Sequence, residues 1–226
     1  IWKPPSPTTA RTFLLGLATI SSVIFANVNY NVFVRLDSNA EKTVKEITQE
    51  LKKVGIDSLY SEGYVVHNTL YLTEYKAEEL PKVKEVVDSL AQVAKPLEIE
   101  FYRIRKTGGN WLMLDAKNTL ELQQLTDLAT IRLNKYRAMD AEVPGWAKNI
   151  PAKAASFKEF GSPNVFMNYD PHITLLTPKD SAKIDMFLNN YMLTPVKSKI
   201  KSIGVAEVDG LGQAQSKNVL YEVEVK

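Results

Sequence analysis

The spacing of apolar and polar residues predicts alternating strands and helices after residue 26. In 30–36 the two valines fall on one face and the phenylalanine on the other, as in a well-buried strand. The segment 40–54 has apolar residues at helical spacing, with a cap oxygen from Ser38 before it and Gly55 after it. The same reasoning predicts strands at 64–75, 97–105, 111–114, 172–177, 197–208 and 219–225, and helices at 76–94, 118–137, 152–160 and 181–192.

One short segment occurs twice. The sequences HNTLYLT at 67–73 and HITLLT at 172–177 are each predicted to form a strand that leads into a helix. Their separation of 105 residues is too long for a stacked repeat and indicates two related lobes. We therefore expect 27–226 to be one bilobal domain, with motif lobes around 64–94 and 170–192. The last third of the chain is predicted to be a helix-and-sheet unit of its own.

The repeated segment carries residues suited to phosphate chemistry. Alternate residues of a strand point to the same side, so His67 lies beside Thr69, and His172 lies beside Thr174. If the two strands meet, one imidazole stands on each side of a bound phosphodiester, as general base and general acid, and the hydroxyls can donate to phosphate oxygens. An isolated histidine in a strand is more often structural. Here both histidines of the chain are followed by threonine two residues later, which favours the chemical interpretation.

The composition of the chain excludes several kinds of active site and binding partner. The sequence has no cysteine, which excludes thiol nucleophiles and cysteine-bound zinc, and a formal net charge of +2 does not indicate binding to long nucleic-acid duplexes. Neither histidine segment has an acidic residue at zinc-ligand spacing, and Asp170 alone is insufficient, so we predict no metal and no cofactor. The sequence also lacks the nucleophile elbow of serine hydrolases and the phosphate loop of nucleoside triphosphatases.

The segments His67-Asn-Thr-Leu and Pro171-His172-Ile-Thr-Leu resemble the paired His-x-Thr/Ser motifs of the two-histidine (2H) phosphoesterases, which include RNA 2',5'-ligase-like proteins and cyclic phosphodiesterases. The resemblance covers about 29–226. It implies an α+β fold of two pseudo-twofold lobes, with two mainly antiparallel sheets flanked by helices around a central cleft. It also implies that His67 and His172 are catalytic, and that Thr69 and Thr174 bind phosphate. The order in which the histidines act stays open.

Other residues near the motifs are weaker candidates for substrate binding. Tyr71 has the strand parity of His67, so it could stack on a base at the border of the cleft, although ordinary strand packing accounts for it equally well. Tyr169 precedes the second motif and could close over a base, or only anchor its loop. Three arginines on predicted strands could hold a phosphate bidentately: Arg35, Arg103 and Arg105.

The first 26 residues have the architecture of a signal peptide. Lys3 and Arg11 carry the only charges, and the apolar run at 12–26 ends in an acceptable cleavage site after Ala26. A buried helix and a membrane anchor are the alternatives, but about 15 apolar residues fall short of the ~20 that a span requires. We expect an exported protein, periplasmic or secreted, that starts at Asn27 and has no stable membrane span after leader removal; a cytoplasmic location is the alternative.

Two functions follow from these observations. The resemblance favours a metal-independent phosphodiesterase, acting as a monomer on a nucleotide or a short RNA end through a 2',3'-cyclic phosphate or a 2',5' linkage. The alternative is a binding module of the same fold that holds a nucleotide or an RNA end without turnover. Because both histidines are present, we favour the enzyme.

Overall fold

A computed structural model describes residues 27–226, and the predicted signal peptide at 1–26 lies outside the described residues. The strands are β1 (Asn27–Leu36), β2 (His67–Lys76), β3 (Glu98–Lys106), β4 (Leu112–Ala116), β5 (His172–Leu176), β6 (Val196–Glu207) and β7 (Val219–Glu224). The α-helices are α1 (Ser38–Lys53), α2 (Leu80–Val93), α3 (Leu120–Leu133), α4 (Gly145–Lys148), α5 (Pro151–Phe160) and α6 (Ser181–Asn190). Every predicted element is present, and the short helix α4 is an addition.

Local chemistry explains where the bounds differ from the predicted ones. Helix α1 begins earlier than predicted because Asp37, rather than Ser38, is its N-cap: the Asp37 carboxylate accepts a hydrogen bond from the backbone N–H of Asn39 at 3.0 Å. Helix α2 begins later than predicted because β2 continues to Lys76. Gly55 adopts a φ of +72° just after α1, the left-handed conformation that was expected to end this helix.

All strand pairs within the described residues are antiparallel, in the order β2-β1-β6-β3-β4-β5, with β7 also paired to β6. Strand β6 is 12 residues long and belongs to both halves of the molecule. Its first part pairs with β3, and from Ile200 onwards it pairs with β1 and is joined by β7. Two antiparallel sheets therefore share one strand, and the predicted α+β fold class is confirmed.

The topology corrects one prediction. The last third of the chain does not form a unit of its own, because β5 pairs with β4 whereas β6 and β7 pair with each other and β6 pairs with β1. One sheet thus combines β1 and β2 with β6 and β7 from the end of the chain, and the other combines β3, β4 and β5 with the first part of β6. Hydrogen bonding between distant strands, rather than nearness along the chain, decides which strands share a sheet.

The two motif strands lie at opposite ends of the strand order, yet they contact each other. The strands must therefore curve round so that β2 meets β5. This arrangement brings together two segments that are 105 residues apart in the sequence.

Helices α1, α2 and α3 cover one face of the sheets. Helices α1 and α2 pack on β6, and α3 packs on β2. Between the helices and the strands lies a continuous apolar core in which Phe101, Leu114 and Ile203 are fully buried. A smaller cluster around Phe33 and Ala206 fills the opposite face of β1 and β6. Among the helices of residues 27–226, none combines the length and apolarity needed to cross a lipid bilayer.

Candidate active site

His67 begins β2 and is held in one orientation and one tautomer. Its Nδ1 lies 2.8 Å from the carbonyl oxygen of Val65, and because a carbonyl only accepts, Nδ1 carries the proton. Nε2 is then the basic nitrogen of the neutral ring, and it accepts a hydrogen bond from the Asn31 amide at 3.1 Å. The ring of Phe33 packs edge-on against the imidazole, with 5.3 Å between the ring centres. Only 7% of His67 is exposed.

Asn31, on β1, joins His67 to Thr69. Its Nδ2 group donates one hydrogen bond to Nε2 of His67 and another to Oγ1 of Thr69 at 2.9 Å. Because Oγ1 accepts from Asn31, the hydroxyl hydrogen of Thr69 is left to donate to a ligand. The amide oxygen Oδ1 is buried and has no hydrogen-bond partner within residues 27–226.

Asn31 was not among the site residues predicted from the sequence. The signal was present, because a polar residue at a buried position of an apolar strand needs partners for its amide group. The side chain is fully buried, and its partners are the histidine and the threonine of the first motif.

His172 begins β5 and repeats the local geometry of His67. Its Nδ1 lies 2.7 Å from the carbonyl oxygen of Asp170, two residues upstream, just as Val65 is two residues upstream of His67. The same tautomer follows, and Nε2 is again the nitrogen left for chemistry. His172 and Thr174 are both partly exposed.

A network of ion pairs lies beside His172. Asp115 on β4 is directly opposite His172 and is only 3% exposed. Two arginines satisfy this buried carboxylate: the guanidinium of Arg103 lies 2.6 Å from it and that of Arg105 lies 2.8 Å from it. Arg105 also contacts the carboxylate of Asp170 at 2.9 Å. The network therefore holds both guanidinium groups in defined positions.

Burial lowers the pKa of His67 from 6.5 to about 4. The hydrogen bond to Val65 opposes this change, whereas the charges of His172 and Arg35 reinforce it. Arg35, which pairs with His67 across β1 and β2, is itself held by Glu222 at 2.8 Å. His67 is therefore neutral at pH 7.

Burial also lowers the pKa of His172 from its usual value. The hydrogen bond to the Asp170 carbonyl and the carboxylates of Asp170 and Asp115 favour the protonated ring, and Arg105 opposes them. His172 thus has acidic neighbours that favour its protonation, whereas His172 and Arg35, the charges that act on the pKa of His67, oppose its protonation. The two halves of the site differ in charge although their local geometry is the same.

The structure places Tyr71 in the core, which corrects its predicted position at the border of the cleft. Tyr71 is 1% exposed, and its hydroxyl donates to the carbonyl oxygen of Phe160. The reason is a β-bulge: consecutive residues of β1 face Thr69 and Tyr71, which leaves Leu70 as an extra residue. The alternation of side chains shifts at the bulge, so Thr69 and Tyr71 point to opposite faces.

Tyr169 connects the segment before β5 with β2. Its hydroxyl accepts a hydrogen bond from the amide of Asn68 at 2.8 Å and donates one to the carbonyl oxygen of Thr69 at 3.1 Å. These bonds link one motif strand to the approach of the other. Tyr169 was predicted either to close over a base or to anchor its loop, and these contacts fit the anchoring role.

Within residues 27–226, no three His, Asp or Glu side chains are grouped closely enough to hold a metal ion together.

No protein-family model and no curated protein sequence matches this chain. Its fold is nevertheless shared with solved structures of 2H phosphoesterases, which confirms the fold that the resemblance implied. The structure of TT0787 from Thermus thermophilus matches with a TM-score of 0.52 and 17% identity, over 87% of this chain and 97% of TT0787. The structure of E. coli LigT complexed with 3'-AMP matches with a TM-score of 0.52 and 11% identity, over 89% of this chain and 99% of LigT.

Proposed function

We propose that the protein is a metal-independent phosphodiesterase that acts on 2',3'-cyclic phosphates of nucleotides or RNA ends, or on 2',5'-linked oligonucleotides, with His67 and His172 as its general base and acid. The observation that carries this proposal is the repeated imidazole geometry. Each Nδ1 is held by a carbonyl oxygen two residues upstream, at 2.8 Å and 2.7 Å, and the two strands that begin with these histidines meet. In the proposed site both Nε2 atoms act on one substrate, and that of His67 does so once the substrate water displaces the Asn31 amide.

A nucleotide ligand is supported by the fold. LigT shares the architecture of this chain, and its structure contains 3'-AMP, a nucleotide with its phosphate on the 3' oxygen. Hydrolysis of a 2',3'-cyclic phosphate produces a monoester at the 2' or the 3' oxygen. A ligand of this kind therefore belongs to the product class that the proposed reaction would release.

We assign the base to His67 and the acid to His172. His67 is neutral, and its Nε2 carries a lone pair rather than a proton, because this atom accepts a hydrogen bond from Asn31. The carboxylates of Asp115 and Asp170 favour the protonated form of His172. A water molecule takes the place of the Asn31 hydrogen bond on Nε2, transfers its proton to His67 and attacks phosphorus.

The bond from phosphorus to one ribose oxygen then breaks, and His172 donates its proton to that oxygen. The hydroxyls of Thr69 and Thr174 stabilise the charge on the non-bridging oxygens. The cycle closes when His67 releases the proton that it gained and His172 takes one up from solvent. No step in this scheme requires a further proton donor or acceptor from the protein.

The proposal is tested by hydrolysis of a panel of 2',3'-cyclic nucleotides and of 2',5'-linked oligoadenylate, with EDTA present and products resolved as 2' or 3' phosphates. His67→Ala and His172→Ala are each expected to lower the rate by about 10² to 10⁴-fold while both variants unfold cooperatively. Activity that disappears in EDTA, or that survives in either variant, would contradict the mechanism. Nucleotide binding without any turnover would favour the binding module.

A further inference from the structure

Two rows of side chains cross β3, β4 and β5 on the face that carries the second motif. Arg103 is paired with Asp115, and Asp115 is paired with His172. In the adjacent row Arg105, Met113 and Thr174 are paired in the same way, one after another. Directly opposed residues of antiparallel strands point to the same side of a sheet. Both arginines therefore lie on the same face as His172 and Thr174.

The two arginines differ in the charge left for a ligand. Arg105 lies between two carboxylates, those of Asp115 and Asp170, and its side chain is 30% exposed. Arg103 contacts a single carboxylate oxygen of Asp115, through Nε at 2.9 Å and Nη2 at 2.6 Å, and is 54% exposed. Its Nη1 has no hydrogen bond to another side chain or carbonyl of residues 27–226. Arg103 is thus held in place with one edge of its guanidinium free.

Tyr102 adds an aromatic surface next to Arg103. The register between β3 and β4 shifts between Phe101 and Arg103, so Tyr102 is the extra residue of a bulge. Its side chain is 38% exposed, and the Arg103 guanidinium lies 5.5 Å from the centre of the ring. A fixed cation beside an exposed aromatic ring is a combination that binds single-stranded nucleic acid, because the ring stacks on a base and the cation pairs with the backbone phosphate.

We propose that Tyr102 and Arg103, which we call the β3 strip, bind the penultimate nucleotide of a single-stranded RNA whose terminal phosphate lies between His67 and His172. This inference rests on the proposed function. Arg103 is two strands away from His172, about 10 Å at ordinary strand spacing, which is within the reach of an adjoining nucleotide. Arg103 binds the phosphate that joins the last two nucleotides, and Tyr102 stacks on the penultimate base. The substrates are then RNA ends rather than free cyclic mononucleotides.

The test compares kcat/KM for adenosine 2',3'-cyclic phosphate with kcat/KM for an adenylate dinucleotide that ends in a 2',3'-cyclic phosphate. Arg103→Gln is the informative variant, because Asp115 keeps its contacts with Arg105 and the buried carboxylate is not left unpaired. We expect the ratio of the dinucleotide value to the mononucleotide value to fall about tenfold in Arg103→Gln, and less in Arg103→Lys, which keeps the charge but not the fork of donors.

The matched control is Lys82→Gln, which removes one positive charge from α2, a helix on the other face of the sheet. The Lys82 side chain is 51% exposed, close to the value for Arg103. This variant is expected to leave the ratio unchanged. A ratio that stays the same in Arg103→Gln, or that falls equally in Lys82→Gln, would overturn the inference while leaving the proposed function in place.

Failure of the proposed function is distinguishable. If neither substrate is hydrolysed, the enzymatic proposal fails, and equilibrium binding of 3'-AMP and of the 3'-phosphorylated adenylate dinucleotide decides the role of the β3 strip. Tighter binding of the dinucleotide, lost in Arg103→Gln, would support it. Equal affinities for the two probes in the unmodified protein would overturn it.

Discussion

Asn31 donates a hydrogen bond of 3.1 Å to Nε2 of His67, the nitrogen to which we assign proton abstraction. A donor at this nitrogen stabilises the neutral imidazole and disfavours the protonated one, so it acts in the same direction as burial. The same amide group orients the hydroxyl of Thr69. Asn31 is therefore a positioning residue for both members of the first motif.

Changing Asn31 is expected to alter the titration of His67. In Asn31→Asp a carboxylate oxygen can accept from protonated Nε2, so the pKa of His67 should rise. In Asn31→Ala the donor is lost, and kcat/KM should fall about tenfold because the Thr69 hydroxyl is no longer oriented. NMR titration of the imidazole resonances measures the first effect, since the chain has only two histidines. Asn29→Ala, an exposed change on the same strand, is the control and should alter neither quantity.

The pH dependence of kcat/KM is expected to be a bell with its maximum on the acid side of pH 6.5. The rising limb reflects loss of the proton from His67, whose pKa is about 4. The falling limb reflects loss of the proton from His172, whose pKa burial has lowered below 6.5. Rates measured from pH 3.5 to 8 test this expectation. An optimum at or above pH 7.5 would be incompatible with the assigned groups, and Asn31→Asp should move the rising limb to higher pH.

Folding stability should also depend on the protonation of His67. Its pKa is lower in the folded state than the usual 6.5, so the unfolded chain binds the additional proton. The contribution is complete above pH 6.5 and is lost as the pH falls from 6.5 towards 4. A pKa change of this size corresponds to about 3 kcal/mol in the free energy of unfolding. Urea unfolding at pH 7, 5.5 and 4.5 measures this effect: the free energy of unfolding should fall more steeply with decreasing pH in the unmodified protein than in His67→Gln. If it falls equally in both proteins, His67 does not cause the loss.

Phenylalanine variants of Tyr71 and Tyr169 should have different effects, because Tyr71 lies in the core and Tyr169 contacts the strand of the first motif. Tyr71→Phe removes a buried hydrogen bond to Phe160 and should lower the free energy of unfolding by about 1 kcal/mol without changing KM. Tyr169→Phe removes the hydroxyl that contacts Asn68 and Thr69, so it should lower stability and also raise KM. Urea unfolding and substrate titration measure both quantities. A larger rise in KM for Tyr71→Phe than for Tyr169→Phe would contradict the core position that the bulge gives Tyr71.

Helix α1 and the two motif strands could be predicted from the sequence because they depend on residues that are close together along the chain. The apolar spacing of α1 and its glycine stop predicted that helix, and the strand-forming residues around each His-x-Thr motif predicted both motif strands. The prediction for Tyr71 failed because alternation along a strand assumes an unbroken ladder, and a bulge at Leu70 reverses the parity. Asn31 was missed because its importance depends on strand pairing between β1 and β2.

The choice among the three arginines likewise needed the structure. Arg35 and Arg103 were equivalent as basic residues on predicted strands. Pairing across the sheet places Arg35 opposite His67 with its charge matched by Glu222, and places Arg103 in a row with Asp115 and His172 with one edge free. The residues next to Arg35 and Arg103 in the sequence do not indicate this difference, because it depends on pairing with distant strands.

The sequence by itself determined the types of the elements and the two His-x-Thr motifs, because backbone preference and side-chain periodicity are properties of short segments. It also suggested the acid–base chemistry that we propose for the two histidines. Only the tertiary structure decided that the strands of His67 and His172 meet, that Asn31 lies beside His67 and Asp115 beside His172, and that Tyr71 lies in the core. These relationships depend on which strands pair across large sequence distances. In this protein these relationships follow from the shared strand β6 and from the curvature that brings β2 to β5.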